Sequence, residues 1–259
     1  MSRFIYWISL TISIAFLALP LLLVLPLAFN DSSFLTYPME GFTFDWFYHV
    51  YQEAIWSKAL LNSLIVALGA MIVATLIGGL AAIGVLLTGR LAQVILTALF
   101  VSPLVLPSIV IGVAFAYSFG RMMIAGSYTS IILAHAILGA PLVFLSVMTS
   151  LKLLNPDLDR AAASLGASRT HRFWRITLPL TAPGFIAGAI FAFITSFDEV
   201  VVALFLVSPD TTTLPIALFA SLRDRLQPTI VVVALLLSIV SFLFLLFLNW
   251  AQKKSKTAK

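Results

Sequence analysis

The sequence predicts an all-α, polytopic membrane protein with six transmembrane helices and both termini in the cytoplasm. Three observations predict it. Of 259 residues, 61% are hydrophobic and only 10% charged, where a soluble domain carries about 25% charged residues. Apolar runs of roughly eighteen residues or more recur along the chain, and mean hydropathy is +1.11. Lys and Arg concentrate in alternate connections, as the positive-inside rule requires. A β-barrel is excluded, because the runs are continuous and do not alternate in polarity over ten-residue segments.

The first run, Ile5 to Phe29, follows Arg3 and lacks a clear A-x-A cleavage site, so it reads as an uncleaved span and not a signal peptide. Five more follow at Ala59 to Leu87, Leu91 to Phe119, Ser127 to Leu151, Pro183 to Val207 and Thr229 to Trp250. Each reaches the ~20 residues that cross ~30 Å of hydrocarbon at ~1.5 Å rise. Pro103 and Pro107 are expected to kink the third span. Gly184 and Gly188 form a GxxxG pair suited to close helix packing in the fifth.

With the N-terminus inside, Arg3, Arg90, Lys152, Arg160, Arg169, Arg172, Arg175 and the tail lysines 253, 254, 256 and 259 lie in the cytoplasm. Lys58, Arg121, Arg223 and Arg225 fall outside, among the acids Asp31, Glu40, Asp45, Glu53, Asp210 and Asp224. The net charge of +5 is thus a topology signal and not a nucleic-acid footprint. The lysine tail suits an anchor at anionic lipid. Cysteine is absent, which excludes disulfides, thiol catalysis and Cys-based metal sites. His49, His135 and His171 are scattered, so no metal site and no catalytic residue is expected. His135 reads as a packed or hydrogen-bonded intramembrane residue.

Three connections are long. Asn30 to Lys58 is acidic and rich in aromatic residues, which suits a short amphipathic helix at the outer interface. Ser208 to Pro228 is external. The cytoplasmic loop, residues 152–180 within a single transmembrane domain spanning 1–259, carries the sharpest signal. Asn155 can cap a helix, Pro156 favours its first turn, and Asp157 and Asp159 complement the positive end of its dipole. Ala161, Ala162 and Ala163 continue it with little bulk until Gly166, a natural C-cap. Such a helix, with an alanine face that another surface can approach, is a plausible docking knob.

Ala161-Ala162, Gly166 and Ile176-x-Leu178-Pro179 resemble the E-A-A-x3-G-x9-I-x-L-P loop of binding-protein-dependent ABC importer permeases. The resemblance implies a type I ABC importer permease fold, with the short helix as the coupling helix that fits a cleft on a cytoplasmic ATPase. It implies a second homologous permease subunit, an ATPase dimer that binds ATP and Mg, an extracytoplasmic substrate-binding protein, and residence in a bacterial inner membrane. Arg160 stands where the motif has glutamate, with Asp159 beside it. The chain has no Walker A loop and is expected to bind no cofactor of its own.

Ser196-Phe197-Asp198-Glu199, Thr213-Leu214-Pro215 and Ser102-Pro103-Leu104-Val105-Leu106-Pro107 resemble the second permease subunit of spermidine/putrescine transporters. Independently, fifteen residues from Pro183 place Asp198 ~22 Å along a helix, in the outer half of the membrane. Adjacent carboxylates cost about 2.5 to 3.5 kcal/mol each at the bilayer centre, less nearer the edge, so they should face water, a partner or a passing cation. Thr195 lies near both acids and Phe191 seven residues before Asp198, an arrangement able to escort ammonium groups by charge and cation–π attraction. The acids equally suit an outer gate. Ser108 occupies the position after the second proline of the third span where related permeases often carry an acid. An opine, an amino acid derivative or an aminophosphonate therefore stands beside a polyamine as the solute. An ion-coupled secondary transporter would need a coupling-ion site and inverted repeats, and neither is evident; an intramembrane enzyme would need a nucleophile and base.

Overall fold

The computed structural model describes residues 2–224, 227–240 and 242. All regular elements among them are helical. They are α1 (Ser2–Val24), a 3₁₀ turn (Leu25–Phe29), α2 (Asp45–Gln52), α3 (Ala54–Leu86), α4 (Arg90–Val101), a 3₁₀ turn (Ser102–Leu104), α5 (Ser108–Arg121), α6 (Tyr128–Lys152) and α7 (Pro156–Ser164). After these come α8 (Arg169–Arg172), a π-helical turn (Phe173–Thr177), α9 (Leu178–Phe197), α10 (Val201–Leu204), α11 (Leu214–Asp224) and α12 (Thr229–Val240).

Four helical segments among the described residues are long and apolar enough to cross a membrane, and five if the bent pair α4 and α5 is one span. The predicted sixth span lies partly outside the described residues: Thr229–Val240 is an apolar helix, and residue 241 and residues 243–259, with the tail lysines, lie beyond them.

The chain divides into two compact units, Met1–Ser57 with Ala217–Lys259, and Lys58–Ile216. In the first, Ala28, Val231 and Val232 are buried against Trp46, Phe47 and Val50. The short helix expected in this connection is therefore present as α2, with Trp46, Phe47 and Val50 on its packed side and Tyr48 and Tyr51 exposed. Asn30 organises the connection before it: its side chain accepts from the Glu40 N–H at 3.0 Å, and its carbonyl accepts from Trp46 Nε1 at 2.8 Å.

The second unit is a helical bundle with two apolar cores. One joins Ala70, Ala74 and Ala82 of α3 to Ala136, Ala140, Val143, Phe144 and Val147 of α6 and Ala192 of α9. The other joins Val66 of α3, Ile111 and Phe119 of α5, Ile131, Ala134 and Leu138 of α6, and Val202 of α10. The alanines reflect close approach. A Cβ built on Gly188 would lie 2.8 Å from the Val143 Cα, and one on Gly184 2.8 Å from the Ser146 carbonyl. Both glycines of the GxxxG pair therefore let α9 press on α6, as expected. In lipid, helices gain little from burying apolar area against each other, so this close van der Waals contact is what selects the partner face.

Two spans depart from expectation. The third is not one kinked helix but two, bent by 91°. Pro103 lies in the 3₁₀ turn, and Pro107 takes ψ 129° as the residue before α5; neither ring can donate to a continuing helix, so the chain turns. The fifth is not continuous from Pro183 to Val207. It begins earlier, running without interruption from Arg169, and stops at Phe197. The break falls at Asp198 and Glu199, where the helix end lets the Glu199 carboxylate accept from the Val202 N–H, a partner that an apolar helix interior would deny it.

Candidate functional site

The cytoplasmic-loop helix forms as its residues dictate. Asn155 Oδ1 accepts from the Asp157 N–H at 2.9 Å, Pro156 occupies the first turn, and the two acids follow. At the far end the Ala167 N–H donates to the Ala162 carbonyl at 3.1 Å and the Gly166 N–H to the Ala163 carbonyl at 3.0 Å. That pair of bonds is a Schellman ending, and it needs a left-handed residue at the position of Gly166, whose φ is +84°. Ala161 and Ala163 are exposed and Ala162 half-buried, so α7 offers a small-residue surface.

The acids of α7 are used within the chain. Arg172 Nη1 donates to Asp159 Oδ2 at 2.7 Å and to the Asp159 carbonyl at 3.2 Å. Arg160 turns back on Asp157 at 3.2 Å. Arg172 is mostly buried, with a side chain 16% exposed, whereas the Arg160 side chain is 77% exposed. The first pair braces α7 against α8; the second, an exposed pair three residues apart, contributes little. Ile176 and Leu178 are half-buried and Pro179 exposed. The π turn at Phe173–Thr177 ends two residues before Pro179, whose ring would otherwise clash with a carbonyl of the preceding turn.

The break after α9 separates the roles of the paired acids. Glu199 Oε1 accepts from the Val202 N–H at 2.9 Å and so caps α10. Asp198 is exposed and makes no side-chain hydrogen bond or ion pair among the described residues. Thr195 is half-buried, and Phe191, 53% exposed, belongs to the outer face of α9. Ser108 opens α5, one turn before Gly112, where a Cβ would meet Val202 and Phe205 of the broken segment. Ser108 forms no hydrogen bond with either acid. Among the described residues no cluster of three His, Asp or Glu side chains forms a metal site.

His135 is packed and hydrogen-bonded, as expected: fully buried, it meets the Ser196 Oγ through Nδ1 at 2.9 Å and joins α6 to the last turn of α9, two residues before Asp198. One functional candidate carries little sequence signal. Asn62, 2% exposed, is the most heavily bonded side chain of α3. A single amide inside an apolar run gives no periodicity to detect.

Residues 74–257 match the family described as binding-protein-dependent transport system inner membrane component. The chain belongs to this family. It is a transport subunit of a multi-pass inner-membrane system and not an enzyme. The putrescine transport system permease protein PotI of Escherichia coli K12 is 30% identical over 95% of this chain and 92% of its own length. The putative 2-aminoethylphosphonate transport system permease protein PhnV of Salmonella typhimurium LT2 is 33% identical over 72% of this chain and 70% of its own. The spermidine/putrescine permease PotC of E. coli K12 is 26% identical over 90% and 88%. Among solved structures, a bacterial ABC transporter that imports the acidic polysaccharide alginate superimposes with a TM-score of 0.68 at 12% identity, over 96% of this chain and 95% of that one. That likeness shows the type I importer permease fold.

Proposed function

We propose that this permease is one of two transmembrane subunits of an ATP-driven importer, carrying a small organic cation, a polyamine such as putrescine or spermidine, into the cytoplasm. The observation that carries this reading is Asp198: an exposed carboxylate with no partner, at the break of an apolar span, in a chain related along 95% of its length to a putrescine permease. An exposed carboxylate attracts an ammonium group through its charge, and Asp198 has no counter-charge to displace first.

In this reading both termini are cytoplasmic, the single domain of residues 1–259 pairs laterally with a homologous permease, and an external binding protein delivers the solute. Two ATPase subunits, holding ATP and Mg, dock on the stretch from Asp157 to Gly166, with Asp159, Arg160, Ala161 and Ala162 at the contact. Ile176, Leu178 and Pro179 transmit the movement into α9. ATPase closure favours one of two arrangements of the permease pair by differential affinity, which is all that alternating access requires. Glu199 caps the gate segment, while Asp198, Thr195, Phe191 and Ser108 belong to the pathway or its gate.

A second solute reading rests on the 33% identity to the 2-aminoethylphosphonate permease. That solute also carries an ammonium group, but with an anionic phosphonate. Thermal stabilisation of the partner binding protein across putrescine, spermidine, 2-aminoethylphosphonate and neutral amino acids separates the two. Polyamines alone should shift its melting temperature. A shift by 2-aminoethylphosphonate and by no polyamine replaces the polyamine reading.

A further inference from the structure

Asn62 and Ser63 interrupt an otherwise apolar stretch of α3, and both are 2% exposed. A buried amide is costly unless its hydrogen-bonding capacity is used, and here it is used on the start of α6 and on the 208–213 turn. Tyr128 Oη, at the start of α6, donates to Asn62 Oδ1 at 2.6 Å. With the oxygen so engaged, both hydrogens of Nδ2 point to backbone carbonyls, of Asp210 at 3.0 Å and Thr212 at 2.8 Å. Next to it, Ser63 Oγ accepts from the Leu214 N–H at 2.8 Å and so caps the start of α11.

The same turn is held from the α5–α6 connection. The Gly126 carbonyl accepts from Ser208 Oγ at 3.0 Å and from Thr211 Oγ1 at 3.1 Å, and the Gly126 N–H donates to the Leu206 carbonyl at 3.1 Å. Lys58 adds an ion pair to Asp210 at 2.8 Å. The turn after the Asp198–Glu199 break is thus bonded at its backbone carbonyls by Asn62 of α3 and through the Ser208 and Thr211 side chains to the α5–α6 connection. A segment meant to swing free would leave those carbonyls to water.

We propose that Asn62 is a positioning residue for transport: with Tyr128 it fastens the 208–213 turn to the starts of α3 and α6, so that these three segments move as one body throughout the cycle. The moving boundary then lies elsewhere, and the gate segment from Asp198 to Leu214 is carried with α3 and α6 instead of opening against them. The inference rests on the chain's membership of a transport family and not on which solute it carries.

The absence of cysteine makes the test direct. A Cβ on Gly126 would lie 3.3 Å from the Ser208 Cβ, close to the ~3.5–4.5 Å of a disulfide, so Gly126→Cys with Ser208→Cys staples the turn; because Gly126 has φ +81°, where a side chain is strained, the dithiol form of the same pair is the reference for every comparison. The complete transporter is reconstituted in lipid, and two quantities are read: putrescine uptake and the ATP hydrolysis stimulated by the binding protein. If putrescine is not the solute, the second readout still reports the cycle. Asn62→Ala should lower the stimulated rate about tenfold, the effect of losing a few linked hydrogen bonds. It should also speed maleimide labelling of Thr213→Cys, a position 3% exposed in the intact turn, measured in a separate background without the staple. The oxidised staple should sustain turnover on its own and, combined with Asn62→Ala, restore it to within about twofold of the staple alone. Tyr128→Phe, which keeps the ring, should give a smaller loss in the same direction and serves if Asn62→Ala fails to assemble. Turnover abolished by the oxidised staple but present in its dithiol form would overturn the proposal, because the turn would then have to part. So would Asn62→Ala with unchanged labelling and turnover, or a loss that the staple does not restore.

Discussion

Arg172 reaches across from α8 to bind Asp159 twice, through the carboxylate at 2.7 Å and the backbone carbonyl at 3.2 Å. The double contact ties the orientation of α7 to the start of the helix that leads into the membrane. Asp159→Asn and Arg172→Ala should each lower ATP-dependent transport several-fold while membrane abundance holds. The double variant should be no worse than the worse single one, as expected of a coupled pair. Multiplying losses in uptake assays on the two single variants and the double would separate the residues' roles.

Gly166 has φ +84°, and a Cβ there would meet nothing within 4 Å. The cost of Gly166→Ala is therefore conformational, about 1 kcal/mol, and Gly166→Asn should be milder because asparagine tolerates the left-handed region. Ala162→Asp, which places charge on the docking face, should abolish transport and ATPase stimulation with the protein still in the membrane. Uptake and ATPase assays rank the three variants; unchanged stimulation in Ala162→Asp would refute docking through this helix.

Gly188 and Gly84 provide a packing contrast. At Gly188 an added methyl meets the backbone of α6, which cannot rotate away, whereas at Gly84 nothing lies within 4 Å. Gly188→Ala should destabilise by about 1–3 kcal/mol through overpacking, and Gly84→Ala should be neutral or better in a helix. Thermal unfolding of the purified complex tests the difference; equal melting temperatures would contradict the close α6–α9 contact.

How much was legible follows from what each signal measures. The capping residues of α7 and the glycine at its end act through neighbours in sequence, so Asn155, Pro156 and Gly166 announced the helix and its ending. GxxxG likewise announced a close helix contact. Hydropathy averages over a window, and the apolar residues on both sides of Asp198-Glu199 concealed the end of α9; the same averaging hid the size of the bend at Pro103 and Pro107. The Asn62 network and the Asp159–Arg172 brace join residues far apart in the chain, and only the fold brings them together.

The two acids at the break should behave differently. Glu199→Gln keeps an oxygen able to accept from Val202, so α10 retains its cap and uptake should change less than about twofold. Asp198→Asn removes the free charge and should raise the KM for putrescine about tenfold with the stimulated ATPase rate largely kept. Kinetics of the two variants side by side decide it. Equal and small effects would take both acids out of the pathway.

The Lys58–Asp210 pair offers a pH test. Hydrogen bonding to Lys58, then its charge, holds the Asp210 carboxyl below the ordinary carboxylate value. Any stabilisation it gives is present above that ordinary value and is lost only as pH falls through the lowered one. Between pH 5 and 8 the pair should contribute no pH dependence. Because both side chains are largely exposed, Asp210→Asn should leave the melting temperature nearly unchanged. A large drop, or a slope in this pH range that Asp210→Asn removes, would contradict the assignment of the turn's strength to its backbone bonds.

The most direct test of the central claim is putrescine uptake by vesicles containing the complete transporter and its binding protein, with ATP supplied or withheld and the ion gradients collapsed. An ATP-driven importer predicts accumulation that needs ATP, persists without the gradients and disappears with Ala162→Asp. Uptake that follows an ion gradient and ignores ATP would contradict it.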